Sequence, residues 1–320
     1  MRREGSPFQG LGTVFVKELA DHISSVRMLI LELLILFTAL AALYEAITSL
    51  RQNTAEDPFL LLRLFTIDQA PLPSFVAILG FLIPLMAIGL GFDAVNSEYN
   101  RRTLSRILAQ PIYRDALLMG KYLAALATIG ISLAALWLLV IGLGLIFLGV
   151  PPGGEEIARS LVFLVVAIFY AGVWLSLAML LSIVFRSPAT AALVALGIWL
   201  FLTVLYTMLA PAIAQAISPP DPRYALLGLN DPQTAIWTNT LQRVSPNDLF
   251  GEAMIAVLSP TTRTLGPVFI DQLRGAVMGS PLPFGESVMI AWPQTVGLIA
   301  GTIVLFVVGY VLFQRQEVRA

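Results

Sequence analysis

The sequence predicts an all-α integral membrane protein with six transmembrane helices, and three observations predict it. Apolar residues make up 58% of the 320-residue chain and charged residues 12%, where soluble domains carry about 25% charged residues. Six runs reach the roughly 20 mostly apolar residues that a helix needs to cross about 30 Å of hydrocarbon. They lie near 28–48, 74–95, 117–149, 157–185, 189–216 and 292–313. The sequence lacks the alternating segments of about ten residues that a membrane barrel requires. There is no Cys and a single His, His22, so disulfides, iron–sulfur clusters and the usual zinc spacings are excluded. A net charge of −1 argues against a nucleic-acid partner.

Residues 1–27 read as a lead-in to the 28–320 membrane domain. No cleavable signal peptide is legible at MRREGSPFQG, and span one is expected to stay in the mature chain. Within the lead-in, Phe8, Leu11, Phe15, Leu19 and Ile23 recur at helical spacing opposite Lys17, Glu18 and Asp21, as in an amphipathic helix lying at the membrane interface. Span one carries Glu32 near its start and Glu45 near its end. A carboxylate in a span is a functional candidate, but both positions also lie within reach of an interface. Asp93, at the end of span two, either bonds into the segment that follows or marks the water boundary.

That segment, SEYNRRTLSRILAQPIYRDALLMGKY, runs from Ser97 to Tyr122 and holds Arg101, Arg102, Arg106, Arg114 and Lys121. Leu104, Ile107 and Leu108 share one side of a short helix and the arginines occupy much of the rest. Pro111 ends that helix, and a second begins with Asp115 in its first turn. Span three is long enough for Leu117–Tyr122 to stand proud of the bilayer or lie at the interface. Composition alone leaves two readings open: a basic loop that only fixes topology, or a helix–Pro–helix unit with a further task.

Basic residues concentrate before span one (Arg2, Arg3, Lys17, Arg27), in the 97–121 loop, at Arg186 between spans four and five, and at Arg315 and Arg319. This bias predicts that both termini are cytoplasmic. The opposite loops include 217–291, too long for a connector and rich in proline turns. Its runs AIWTNTLQRV and DLFGEAMIAVL predict short helices on the external side. Gly297-x-x-x-Gly301 in span six is a candidate dimer seam. The middles of the spans carry no charge, which disfavours a small hydrophilic ion passing along the bundle.

The run from Glu98 to Lys121 resembles the cytoplasmic loop of ABC-2 type transporter permeases, whose pattern is approximately E-x-x-x-G-T-L-x-x-L-L-x-x-P-hydrophobic-x-R followed by a hydrophobic run and G-K. Glu98, Thr103, Leu104, Ile107, Leu108, Pro111, Arg114, Gly120 and Lys121 fall on it, while Arg102 stands where the family commonly has glycine. Similarity extends to LSIVFRSPATA (181–191) and LQRVSPNDLF (241–250), and is greatest to permeases of the gliding-motility and nitrous-oxide-reductase-maturation kind.

The resemblance implies a permease that pairs with a second copy or a paralogue in a bacterial cytoplasmic membrane. Each copy would bind a separate cytoplasmic ATPase through a coupling helix in the 97–121 loop. The ATPase-coupling residues would be Glu98, Arg101, Arg102, Thr103, Leu104, Arg106, Ile107, Leu108, Pro111, Arg114 and Lys121, with Arg186 as a second cytoplasmic contact. The 217–291 loop would meet an external partner. The chain itself is expected to be no enzyme and to bind no cofactor, with ATP and Mg on the partner. Its sequence has no G-x-x-x-x-G-K-[ST] phosphate cradle: Gly120-Lys121 is followed by Tyr122, and Asp115 stands where the first glycine would be. The alternative function is a membrane scaffold or assembly factor without a transport cycle.

Overall fold

The computed structural model describes residues 8–52, 59–68, 73–101, 113–149, 151–221, 223–224, 231–265 and 281–316. These residues form helices and no strand. In chain order the helices are α1 (Leu11–Ile23), α2 (Val26–Gln52), α3 (Leu60–Thr66), α4 (Phe75–Gly91), α5 (Asn96–Asn100), α6 (Arg114–Leu148), α7 (Gly154–Val184) and α8 (Pro188–Leu200). A π-helical turn, Phe201–Leu205, joins α8 to α9 (Tyr206–Ile217), and α10 (Pro232–Gln242), α11 (Pro246–Leu258) and α12 (Phe284–Arg315) follow. Six segments are long and apolar enough to cross a membrane: Val26–Arg51, Phe75–Asn100, Arg114–Leu148, Gly154–Val184, Pro188–Ile217 and Phe284–Arg315.

Local chemistry sets the starts and stops. Ser74 accepts a hydrogen bond from Ala77 N at the start of α4, and Ser187, followed by Pro188, caps α8. Asp231 before Pro232 accepts from Thr234 N at 2.9 Å to start α10. Gly149, with φ of 69°, closes α6 in the left-handed conformation that favours glycine.

Spans two and four form the centre of the bundle, with Ile83, Met86, Tyr170, Trp174 and Leu175 fully buried. Spans five and six lie outside, and only 11% of the span-five window is buried. Such a distribution follows from the small and aromatic residues of α4 and α7, which pack closely on both sides of each helix.

One end of the bundle gathers α1, α5, the start of α6 and the end of α12. The other end holds α3, α10 and α11. There Arg159 of α7 is fully buried. Its Nη2 donates to Glu155 Oε1 at 2.7 Å and to Leu282 O at 2.6 Å, and its Nη1 donates to Val257 O and Ser287 Oγ, both at 2.9 Å. The neighbouring Glu156 accepts from Leu61 N at 2.8 Å. One turn of α7 thus ties α3, α11 and α12 together.

The structure adds two features to the sequence reading. Helix α3, which hydropathy is too short-sighted to find, buries Leu61, Leu62, Leu64 and Phe65. Helix α11 does not lie free in an outer loop: Phe250 stacks on Tyr170 with centroids 4.5 Å apart, and Met254 and Val257 join the core among α4, α7 and α12.

Candidate functional site

The described parts of the 97–121 segment are its two roots, residues 97–101 and 113–121. Arg102, Thr103, Leu104, Arg106, Ile107, Leu108 and Pro111 lie outside the described residues. The roots meet. Glu98 Oε1 of α5 and Lys121 Nζ of α6 form an ion pair at 2.8 Å, with side chains 13% and 7% exposed. Lys121 also reaches Glu18 Oε1 of α1 at 3.0 Å, and Glu18 accepts from Lys17 at 2.9 Å. An ammonium withdrawn from water in this way is tolerated because two carboxylates and their hydrogen bonds replace its hydration.

Gly120 makes the approach of α1 feasible. A Cβ at this position would lie 2.8 Å from Val14 Cγ1 and 3.3 Å from Leu11 O. The side of α1 that turns inward therefore carries Val14 and Glu18. This revises one expectation: Glu18 does not belong to a solvated face, since its partner sits on another helix. Leu117, Leu118 and Tyr122 are buried within the protein, Tyr122 against Phe306 of α12.

Burial alone would raise the Glu18 pKa. The Lys121 charge and the hydrogen bonds from Lys17 and Lys121 outweigh it and hold the carboxyl below its usual range. His22, one turn further along α1, is pushed below its ordinary value by burial together with the Lys121 and Arg27 charges, against the opposing pull of Glu18 and Asp93. Asp93 pairs with Arg27 Nη1 at 2.9 Å, so its side chain holds the start of α2. These groups and Arg101 line an open cavity of about 550 Å³.

Two further elements brace the roots. Arg114 Nη1 donates to Gln316 O at 3.0 Å and Gln314 O at 3.4 Å, covering carbonyls at the end of α12. Asp115 accepts from Tyr310 OH at 3.1 Å and from the Gln314 amide. On the other side, Ser182 Oγ accepts from Val95 N at 3.0 Å and Asn96 N at 3.2 Å, and Asn100 Nδ2 donates to Arg186 O at 2.8 Å. The Arg186 guanidinium lies over the Tyr99 ring, 5.2 Å from its centroid. Between them is a cavity of about 320 Å³ bordered by Asn96, Tyr99, Arg186 and Gln316.

Of the residues singled out from sequence, Glu98, Arg101, Arg114, Lys121 and Arg186 share this end of the molecule. Glu32 bonds to Ser132 of α6, which fastens span one to span three. A Cβ on Gly297 would face Leu249 at 3.2 Å and one on Gly301 would face Val173 at 3.8 Å, so the close approach these glycines permit is made within the chain. Glu18 was missing from the sequence reading of the site and Gly120 entered it only as part of the family pattern, although the G-K pair inside an apolar run was a signal for both.

Six apolar spans with a buried ion pair at one end define a polytopic helical membrane protein. The chain belongs to the ABC-2 family of transporter proteins, whose family model matches residues 13–318. It is 34% identical over 157 residues to the probable ABC transporter permease protein NosY of Pseudomonas aeruginosa, covering 47% of this chain and 54% of that protein. It is 30% identical over 157 residues to the protein of the same name from Stutzerimonas stutzeri, with the same shares. The chain spans about half the length of the curated relatives it matches.

Proposed function

We propose that this protein is the transmembrane permease subunit of an ABC transporter in a bacterial cytoplasmic membrane. Its α1 end would be cytoplasmic, and the 97–121 loop would dock a separate ATPase subunit. The observation that carries the reading is the Lys121 bridge. It closes the base of the loop against Glu98 and fixes that base to α1 through Glu18. A push on the loop therefore moves α5, α6 and α1 together, which a loop that merely retained topology would not need. Among the described residues, the basic side chains that bias orientation, Lys17, Arg27, Arg101, Arg114, Lys121, Arg186 and Arg315, lie at this same end, and the names of the relatives agree with the permease role.

ATP-driven closure of the partner would then tilt the spans, either exporting a cargo or passing force to a protein outside. Leu104, Ile107 and Leu108 would fill a groove on the ATPase, with Arg101, Arg102 and Arg106 at its rim. Co-purification with the cognate ATPase tests the proposal. Leu104→Asp should lose the partner, because it buries an unpaired charge at a cost of several kcal/mol, whereas Arg102→Gly should retain it, because a rim charge chiefly affects association rate. Full ATPase binding and normal transport by Leu104→Asp would overturn it.

A further inference from the structure

The loop between spans five and six returns into the bundle. Helix α10 runs antiparallel along α9: Thr234 Oγ1 donates to Ser218 O at 2.8 Å at one end, and Tyr206 OH donates to Leu241 O at 2.9 Å at the other. From Ser218 to Tyr206 is a descent of about 18 Å at roughly 1.5 Å per residue. Helix α11 climbs back from there. Thr207 Oγ1 donates to Asp248 at 3.4 Å, Tyr170 OH donates to Asn247 Oδ1 at 3.1 Å, and Gln294 Nε2 donates to Glu252 Oε2 at 2.8 Å.

These partners measure depth on three different spans. Span five has 30 residues and α12 has 32, so each is about 45–48 Å long against roughly 30 Å of hydrocarbon. An even overhang leaves about 8 Å outside at each end. Thr207 is about 15 Å in from the end of span five and Gln294 is about 15 Å in from the start of α12, which places both roughly 7 Å inside the hydrocarbon. Tyr170 is deeper, and its side chain leans back toward the start of α7, so its contact falls in the same outer half.

Only the last turn of α10 reaches that depth, because Thr234 bonds to Ser218 beyond the end of span five. There Thr240 is exposed and Asn239 and Gln242 are half-buried. Lipid tails cannot solvate amide groups, so such side chains in hydrocarbon need polar partners. Below α10 lies an ion pair, Arg243 Nε to Glu252 Oε2 at 2.9 Å, with the arginine 37% exposed. Beside it Gln294 is 3% exposed, and its Oε1 has no hydrogen-bond partner among the described residues. An exposed ion pair at this depth needs water or a polar ligand.

We propose that α10 lines a water-filled vestibule, entered from the hairpin end and floored by Arg243, Glu252 and Gln294, that admits a polar, hydrogen-bonding cargo. The charge missing from the middles of the spans is carried inward by the returning loop. The cargo class rests on the transporter reading above, whereas the vestibule does not.

The chain has no Cys, so single cysteines can be placed in the full-length protein without a prior background change. In nanodiscs, a charged maleimide should label Asn239→Cys and Thr240→Cys at least tenfold faster than Met208→Cys and Leu209→Cys, which occupy exposed apolar positions of α9 at similar depth. An uncharged, lipid-soluble maleimide should reverse that order. Equal labelling of all four by the charged reagent would put the hairpin outside the bilayer and overturn the proposal. Failure of Asn239→Cys and Thr240→Cys to react with it would mean that the last turn of α10 is covered, and would overturn it equally. Failure of the unsubstituted protein to co-purify with an ATPase would remove the cargo statement and leave this labelling pattern intact.

Discussion

Replacing Lys121 with Met should release α1 while leaving the spans assembled. The substitution keeps most of the side-chain volume and removes the charge that Glu18 and Glu98 share at 3.0 and 2.8 Å. Breaking a buried ion pair from one side costs about 3–5 kcal/mol. A second route gives the same order: holding one stranded carboxyl protonated at pH 7, when its ordinary pKa is 4.5, costs about 3.4 kcal/mol at 1.36 kcal/mol per unit. Lys17 still pairs with Glu18, but its side chain is 61% exposed, so that pair recovers less than about 1 kcal/mol. A net loss of about 3 kcal/mol raises the population of undocked α1 roughly 100-fold. Lys17 and Lys121 are the only lysines in the chain, so in the Lys121→Met variant Lys-C has a single site, after Lys17. Cleavage there should accelerate by about two orders of magnitude, since proteolysis of a transiently opened segment follows its population. Adding Glu18→Gln should restore part of the protection by removing the carboxylate that has lost Lys121. A Lys121→Met protein cut at the wild-type rate would refute the claim that this ion pair holds α1 to the loop base.

Three other outcomes are expected. Gly120→Val should displace α1 in the same Lys-C assay, at a cost of about 1–3 kcal/mol, because its Cβ would meet Val14 at 2.8 Å; normal protection would contradict the packing described. Arg159→Met should lower the melting midpoint in nanodiscs by an amount matching about 3–5 kcal/mol, and Arg159→Lys should not rescue it, since one ammonium cannot serve Glu155, Val257, Leu282 and Ser287 together. Acidification should loosen α1 in two steps read by the same midpoint: both folded pKa values are depressed, so each group's contribution is complete above its ordinary value, near 6.5 for His22 and 4.5 for Glu18, and is lost as pH falls below it. His22→Gln should abolish the upper step alone.

The spans were legible because their signal is local. A run of apolar residues long enough for the bilayer fixes a helix whatever it touches, and the 117–149 run became Arg114–Leu148. Helices α3 and α11 depend on partners far along the chain. Seven residues of α3 are stabilised by a carboxylate 95 positions away, Glu156 on Leu61 N. The apolar run in α11 is too short to span, and hydropathy assigns it to an outer loop; its place in the core is set by Tyr170, which offers both a ring for Phe250 and a hydroxyl for Asn247.

The site was half legible for a related reason. Helical periodicity sorts residues by polarity and treats every charge as facing water, which placed Glu18 on the outer face of α1. That inference fails where two helices each bring one charge to a common contact, because the pair satisfies the burial rule that neither member satisfies alone. The sequence contained the warning on the other strand of the argument. Lys121 stands inside an apolar helix, beside a glycine small enough to admit another backbone, and a lone ammonium in such a place requires a carboxylate from outside its own helix. Arg159 poses the same demand inside α7 and meets it with Glu155 one turn earlier and carbonyls of α11 and the α12 approach. In both cases the charge that hydropathy counts as a blemish in a span marks a joint, where another element is fastened to that span.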